Sequence, residues 1–192
     1  MINPNDYNLI ILVNEEIDDT VSLKINESVE SIPDTLIKHY PPMGPQASLL
    51  LIGLSYCAVK ICEGFFTKIG EMAAEKTLGD LMGTIKEAQQ EPFIVTAGGI
   101  KKGEANGYSL HHSMIYDLNN GSILKCIFKA DWNMEQFNKA VIIFNRELRK
   151  YKKGLNNQIS DIIQTKLPMS GFLFITADLD NNSVVHVDIL NT

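Results

Sequence analysis

The residues in this chain best suited to metal or nucleophilic chemistry are four histidines and three cysteines. His111 and His112 are adjacent. In a strand, neighbouring side chains point to opposite faces, so these two cannot share one ion. His39 and His186 stand alone. The sequence contains no His-x-His, no helical His-x-x-x-His and no Cys-x-x-Cys, whereas a metal centre needs three or four converging ligands. No metal and no cofactor are therefore expected. There is no Gly-x-Ser-x-Gly either, and no cysteine has a histidine at helix or strand spacing. An active site assembled only in three dimensions would draw on His111, His112, Asp117 and the Gly98–Gly107 loop.

Two loops carry partial ligand patterns. Asp178-Leu-Asp180-Asn-Asn182 begins like a calcium loop, but Ser183 stands at the obligatory glycine and Ile189 at the closing glutamate. A polar hairpin turn is expected there. Gly98 and Gly103 have the spacing of a phosphate-binding loop, but Glu104 occupies the lysine position. A surface loop is expected.

The charges are more distinctive. Arg146, Arg149, Lys150 and Lys153 follow one another at helical spacing, opposite the Phe144/Leu148 stripe. Cations near a helix C-terminus complement its dipole and need no further reason. The functional reading is a surface that docks an acidic partner. Few aromatics interleave these charges, so stacking on single-stranded nucleic acid is not indicated. Residues 1–40 hold eight acids against two lysines, which offers the basic face a target within the chain or in a second copy.

The elements that must position these groups fit one α+β domain spanning residues 1–192. The composition is 45% hydrophobic and 21% charged, enough apolar matter for a core without staples. The net charge of −6 argues against a protein that coats nucleic acid or an anionic membrane. An odd cysteine count with no disulfide framework, and no signal-peptide pattern at the first residues, lead to the expectation of a cytoplasmic protein.

Strands are expected at 9–13 and 20–26, paired as a hairpin, then a short helix from Ser31-Ile-Pro33 to about His39. A long helix is expected over 47–88. Its first 13 residues are almost wholly apolar, too few to span a bilayer, which takes about 20. Leu51, Ile52, Tyr56 and Phe65 are expected in its core or at an oligomer interface. Strands follow at 93–97, 110–118 and 123–130. Asn120-Gly121 is read as a two-residue turn that sets Met114 opposite Ile127 and Tyr116 opposite Lys125. Asn133 and Gln136 form a capping box for a second long helix over 133–165, striped by Met134, Phe137, Val141, Phe144, Leu148 and Tyr151, with Leu155, Ile159 and Ile162 either continuing it past Gly154 or beginning a separate helix. A hairpin of 172–177 and 184–190 closes the chain. The expected architecture is a largely antiparallel sheet packed on the two helices.

The function expected from these features is that of a non-enzymatic interaction or accessory protein, one that binds a macromolecular partner or self-associates. A protein partner or a second copy suits the charge pattern; nucleic acid has only the basic face in its favour. The alternatives are a membrane-associating protein using helix 47–72 for peripheral contact, and a small enzyme with a site near His111 and His112.

Overall fold

The computed structural model describes residues 6–15, 18–30, 32–40, 57–87, 93–96, 99–102, 104–105 and 107–189. In chain order these form β1 (Leu9–Asn14), α1 (Asp19–Val29), β2 (Thr35–Tyr40), β3 (Cys57–Ile61), α2 (Phe65–Ile69), α3 (Glu71–Glu87), β4 (Phe93–Thr96), β5 (Gly99–Lys102), β6 (Glu104–Ala105), β7 (Tyr108–Asp117), β8 (Ile123–Lys129), α4 (Met134–Lys152), α5 (Gln158–Thr165), β9 (Phe172–Asp178) and β10 (Ser183–His186). The class is α+β.

The main sheet runs β10-β9-β8-β7-β3-β1-β2, with β6 paired to β7; β4 and β5 form a separate ribbon. The sheet is mixed, not largely antiparallel. β1/β2, β3/β7 and β8/β9 are parallel, whereas β1/β3, β7/β8 and β9/β10 are antiparallel. The reason lies in the connections. Parallel neighbours need a crossover long enough to return the chain to the same end. α1 lies between β1 and β2, α2 and α3 between β3 and β7, and α4 and α5 between β8 and β9. Residues of all five helices share one hydrophobic cluster with Leu9, Ile11, Val13, Val59, Met114, Leu124, Cys126, Phe128, Leu173 and Ile175 of the sheet.

Three expected elements change type. Residues 20–26 belong to a helix. Val21 and Ile25 alternate like strand residues, but they are also four apart, and Val29 extends that spacing; all three are buried while Leu23 is 58% exposed. Asp18 caps the helix by accepting the Thr20 N–H at 2.8 Å. Residues 35–40, expected as helix, are β2. Asn8 fixes this chain entry by donating from Nδ2 to the Pro33 carbonyl at 2.8 Å, and Asp34 turns through φ 55°. The helix expected over 47–88 is not continuous. Residues 57–61 are β3, buried on both sides in a run of five, a length at which apolar pattern alone does not separate strand from helix. Past β3, among the described residues, helix begins at Phe65 and is interrupted at Gly70, where φ is 85°. The second long helix is likewise two, α4 and α5, parted by Gly154 at φ 68° and recapped by Asn157, whose side chain accepts the Ser160 N–H.

The β7/β8 hairpin turns where expected, but with three residues in the loop. Gly121 donates to the Leu118 carbonyl at 3.0 Å, Leu118 donates to Ser122 at 2.8 Å, and Gly121 sits at φ 82°. This is a type I turn closed by a left-handed glycine. The register therefore moves by one: Met114 faces Cys126 and Tyr116 faces Leu124. A two-residue turn would have set Met114, in the helix-side core, against Ile127, which belongs to a second cluster with Phe174, Val187 and Ile189.

Candidate functional site

α3 forms because Ala74, Leu78, Leu81, Met82 and Ile85 recur on one face, and all five are buried. α4 packs beside it. Arg149 reaches Glu75 at 2.9 Å near one end, and Lys86 donates to the Trp132 carbonyl at 2.5 Å at the other, which sets the two helices antiparallel. Lys86 also lies 4.7 Å from the centre of the Phe137 ring, and burial lowers its pKa.

The outer sides of α3 and α4 bound an open groove of about 690 Å³. Gly79 and Gly83 are part of the α3 wall, and Asn138 and Ile142 part of the α4 wall. Among the described residues, a Cβ added at either glycine would meet nothing within 4 Å beyond the backbone of its own helix. Met72, at one end, is 89% exposed, and Ile142 is 44% exposed. Lys76, Asp80 and Glu87 supply both signs of charge along the α3 wall. The antiparallel pairing puts Asn145 at the level of Gly79. Its side chain is fully buried, and among the described residues neither its amide nitrogen nor its oxygen has a hydrogen-bond partner.

Arg146, Arg149 and Lys150 of α4 are engaged inside the molecule. Glu147 is 1% exposed, and its Oε1 accepts from Arg146 Nε at 3.2 Å and from Lys150 Nζ at 2.8 Å. Arg146 also donates to the Asn182 carbonyl in the β9/β10 turn. Arg149 is the partner of Glu75, and Lys153 is the C-cap of α4. Sequence reading missed Glu147. The available signal was its position three residues after Phe144 and seven after Ala140, both buried in the core. Of the residues expected in the apolar helix, Phe65 is fully buried and meets Phe66 edge-on at 5.3 Å. Leu51, Ile52 and Tyr56 lie outside the described residues.

Of the residues expected to serve an enzyme, the two with described side chains, His112 and Asp117, lie on opposite faces of the sheet. His112 is buried on the helix-covered face, its ring 5.0 Å from Phe137 and 5.5 Å from Phe128. Asp117 lies on the opposite face, where it meets Lys60 at 2.6 Å. The side chain of His111 lies outside the described residues, and the Gly98–Gly107 stretch contains β5 and β6. Burial pushes the Cys57 thiol up to about 12 and raises those of Cys126 and Cys62, against thiolate chemistry. Asp178 spends its oxygens on the turn, accepting from Asn181 Nδ2 at 2.7 Å and the Asp180 N–H at 3.1 Å. Lys125 is 1% exposed on β8, and burial brings its pKa down to about 7. A smaller pocket of about 270 Å³ is lined by Phe172, Phe174 and His186 among others, with burial lowering the His186 pKa. Among the described residues no group of three His, Cys, Asp or Glu side chains is placed to hold a metal ion, and no helix is long and apolar enough to cross a membrane.

Compared with family models, curated proteins and solved structures, the chain matches none.

Proposed function

We propose that this chain is a non-catalytic interaction protein that receives an amphipathic helix in the groove between α3 and α4. The observation that carries this reading is the pair of glycines in the middle of α3. Each costs a helix about 1 kcal/mol relative to alanine. At Gly79 and Gly83 that cost returns nothing to the fold, because the space a side chain would fill is open. It does keep a channel clear for close approach by another backbone, beside apolar Met72 and Ile142 that already stand in water. The mixed charges of Lys76, Asp80 and Glu87 on the wall suit a polar rim around such a contact.

A photoreactive side chain placed at Ile142 tests this in the native cell. Covalent adducts to a protein are expected, and filling the groove with Gly79→Leu and Gly83→Leu should remove them while the folded circular dichroism spectrum is retained. Adducts that persist undiminished in the filled protein, or a failure to capture any protein, would overturn the reading.

A further inference from the structure

Resting on that reading, we infer that the helix received in the groove is α3 of a second copy of this chain, crossing antiparallel midway between Gly79 and Gly83. The face complements itself. A twofold axis at that midpoint sets Gly79 opposite the partner's Gly83, so the two helices approach where neither has a side chain. The same operation brings Lys76 to within about one residue, ~1.5 Å of helical rise, of the level of the partner's Glu87. A twofold axis perpendicular to an antiparallel helix pair keeps both residues on the same side of the crossing. Two such opposite-charge pairs form, one for each half of the interface. Asp80 lies nearer the axis, where it meets the partner's Asp80 between the two flanking Lys76 side chains. Glu75 takes no part, because Arg149 already holds it at 2.9 Å.

Two further observations support a close helix contact at this place. Asn145, three residues past Ile142 of the groove wall, carries a buried carboxamide whose donor and acceptor both lack a partner among the described residues. α3 also buries its opposite side, through Ala74, Leu78, Leu81 and Ile85, so its outer face is the one available to a second copy.

Charge exchange tests the inference on the full purified chain, with mass in solution read by light scattering and sedimentation. The wild type should be a dimer. Lys76→Glu alone and Glu87→Lys alone should each weaken it at least about tenfold, since each sets like charges opposite one another twice. The double variant Lys76→Glu/Glu87→Lys should restore it, and Asp80→Asn should tighten it. A monomeric wild type, or a double exchange no better than either single one, would overturn the inference. The two readings separate cleanly. Adducts at Ile142 that contain another protein, formed by a monomeric chain, remove the second copy and leave the groove. Adducts indifferent to the Gly79→Leu and Gly83→Leu filling remove the groove itself.

Discussion

α3 and α4 lie side by side on the same sheet and are built to different standards. α4 begins with a reciprocal capping box between Asn133 and Gln136 and ends with Arg149, Lys150 and Lys152 in its last turn. Its cations bond to Glu147, Glu75, the Asn182 carbonyl and, for Lys152, the Glu63 carbonyl. α3 buries one face equally well but places two glycines and an exposed methionine on the other. A helix whose polar groups are spent within the fold is optimised for stability. A helix that accepts a stability cost on its outer face alone retains something for another molecule. The difference teaches that charge density alone does not mark a free surface here. The conspicuous basic run is internally engaged, and the inconspicuous glycine face is open.

The largest expected effect tests whether stability resides in α4. Phe137 is fully buried, 4.6 Å from Phe128 and 5.0 Å from His112 between ring centres. Phe137→Ala should cost about 3–5 kcal/mol through lost burial and the cavity left behind. Met72→Ala on α3 should stay within about 0.5 kcal/mol, as exposed substitutions do. Urea melts of the two variants measure the contrast; comparable losses would abolish it.

Next in size is the basic run itself. Arg146 and Lys150 both hold Glu147, whose side chain is 1% exposed. Replacing both with alanine strips a buried carboxylate of its cations and should cost about 3 kcal/mol, the lower end for a broken buried pair because solvent reaches the two cations. If the urea midpoint of the double variant matches the wild type, these residues are free surface charges, and docking through the basic face regains its standing.

Lys125 extends the comparison to the other face of the sheet, where burial pushes an amine toward its neutral form. Burial favours the neutral amine, so the folded pKa is about 7 against 10.5 for the ordinary group. Below about 7 both the folded and the unfolded chain hold the proton, and the site's contribution is flat. Above it the unfolded chain binds more protons, so stability rises with pH, by about 1 kcal/mol per unit. Lys125→Met should therefore be the more stable protein near neutrality, and its advantage should shrink between pH 7 and about 9. An advantage constant over that range would mean the lysine does not titrate there.

How much of this was legible follows from where the deciding contacts lie. α4 was readable because its cap, stripe and basic end are all local: Asn133, Gln136 and Phe137 declare it within five residues. The turn at Gly121 was readable for the same reason, although its length was not, because the choice between two and three loop residues depends on which face Met114 must share with Cys126. α1 and β2 were exchanged in type because Val21 and Ile25 fit both periods, and only the parallel pairing of Leu9 with Thr35 requires a helix between the strands. The groove was not legible at all. A local reading of two glycines in a helix yields only lower helix propensity, and the groove beside Gly79 and Gly83 depends on α4, more than fifty residues later in the chain.

The smallest effect is the most discriminating, because its sign separates the two helices. Gly79→Ala and Gly83→Ala introduce only a methyl group, which among the described residues meets nothing within 4 Å beyond its own helix backbone. Each should stabilise the isolated fold by about 1 kcal/mol, since alanine gives up less backbone freedom on entering a helix. The same methyl groups lie where the second copy's backbone approaches, so they should weaken association. One substitution should thus raise the unfolding midpoint of the monomer, measured under dilute conditions, and lower the mass measured at high concentration. Had these glycines served the fold, alanine would cost stability by crowding a neighbour. Had they served nothing, alanine would stabilise the chain and leave association untouched. Only a surface kept open for a partner couples a gain in the first measurement to a loss in the second.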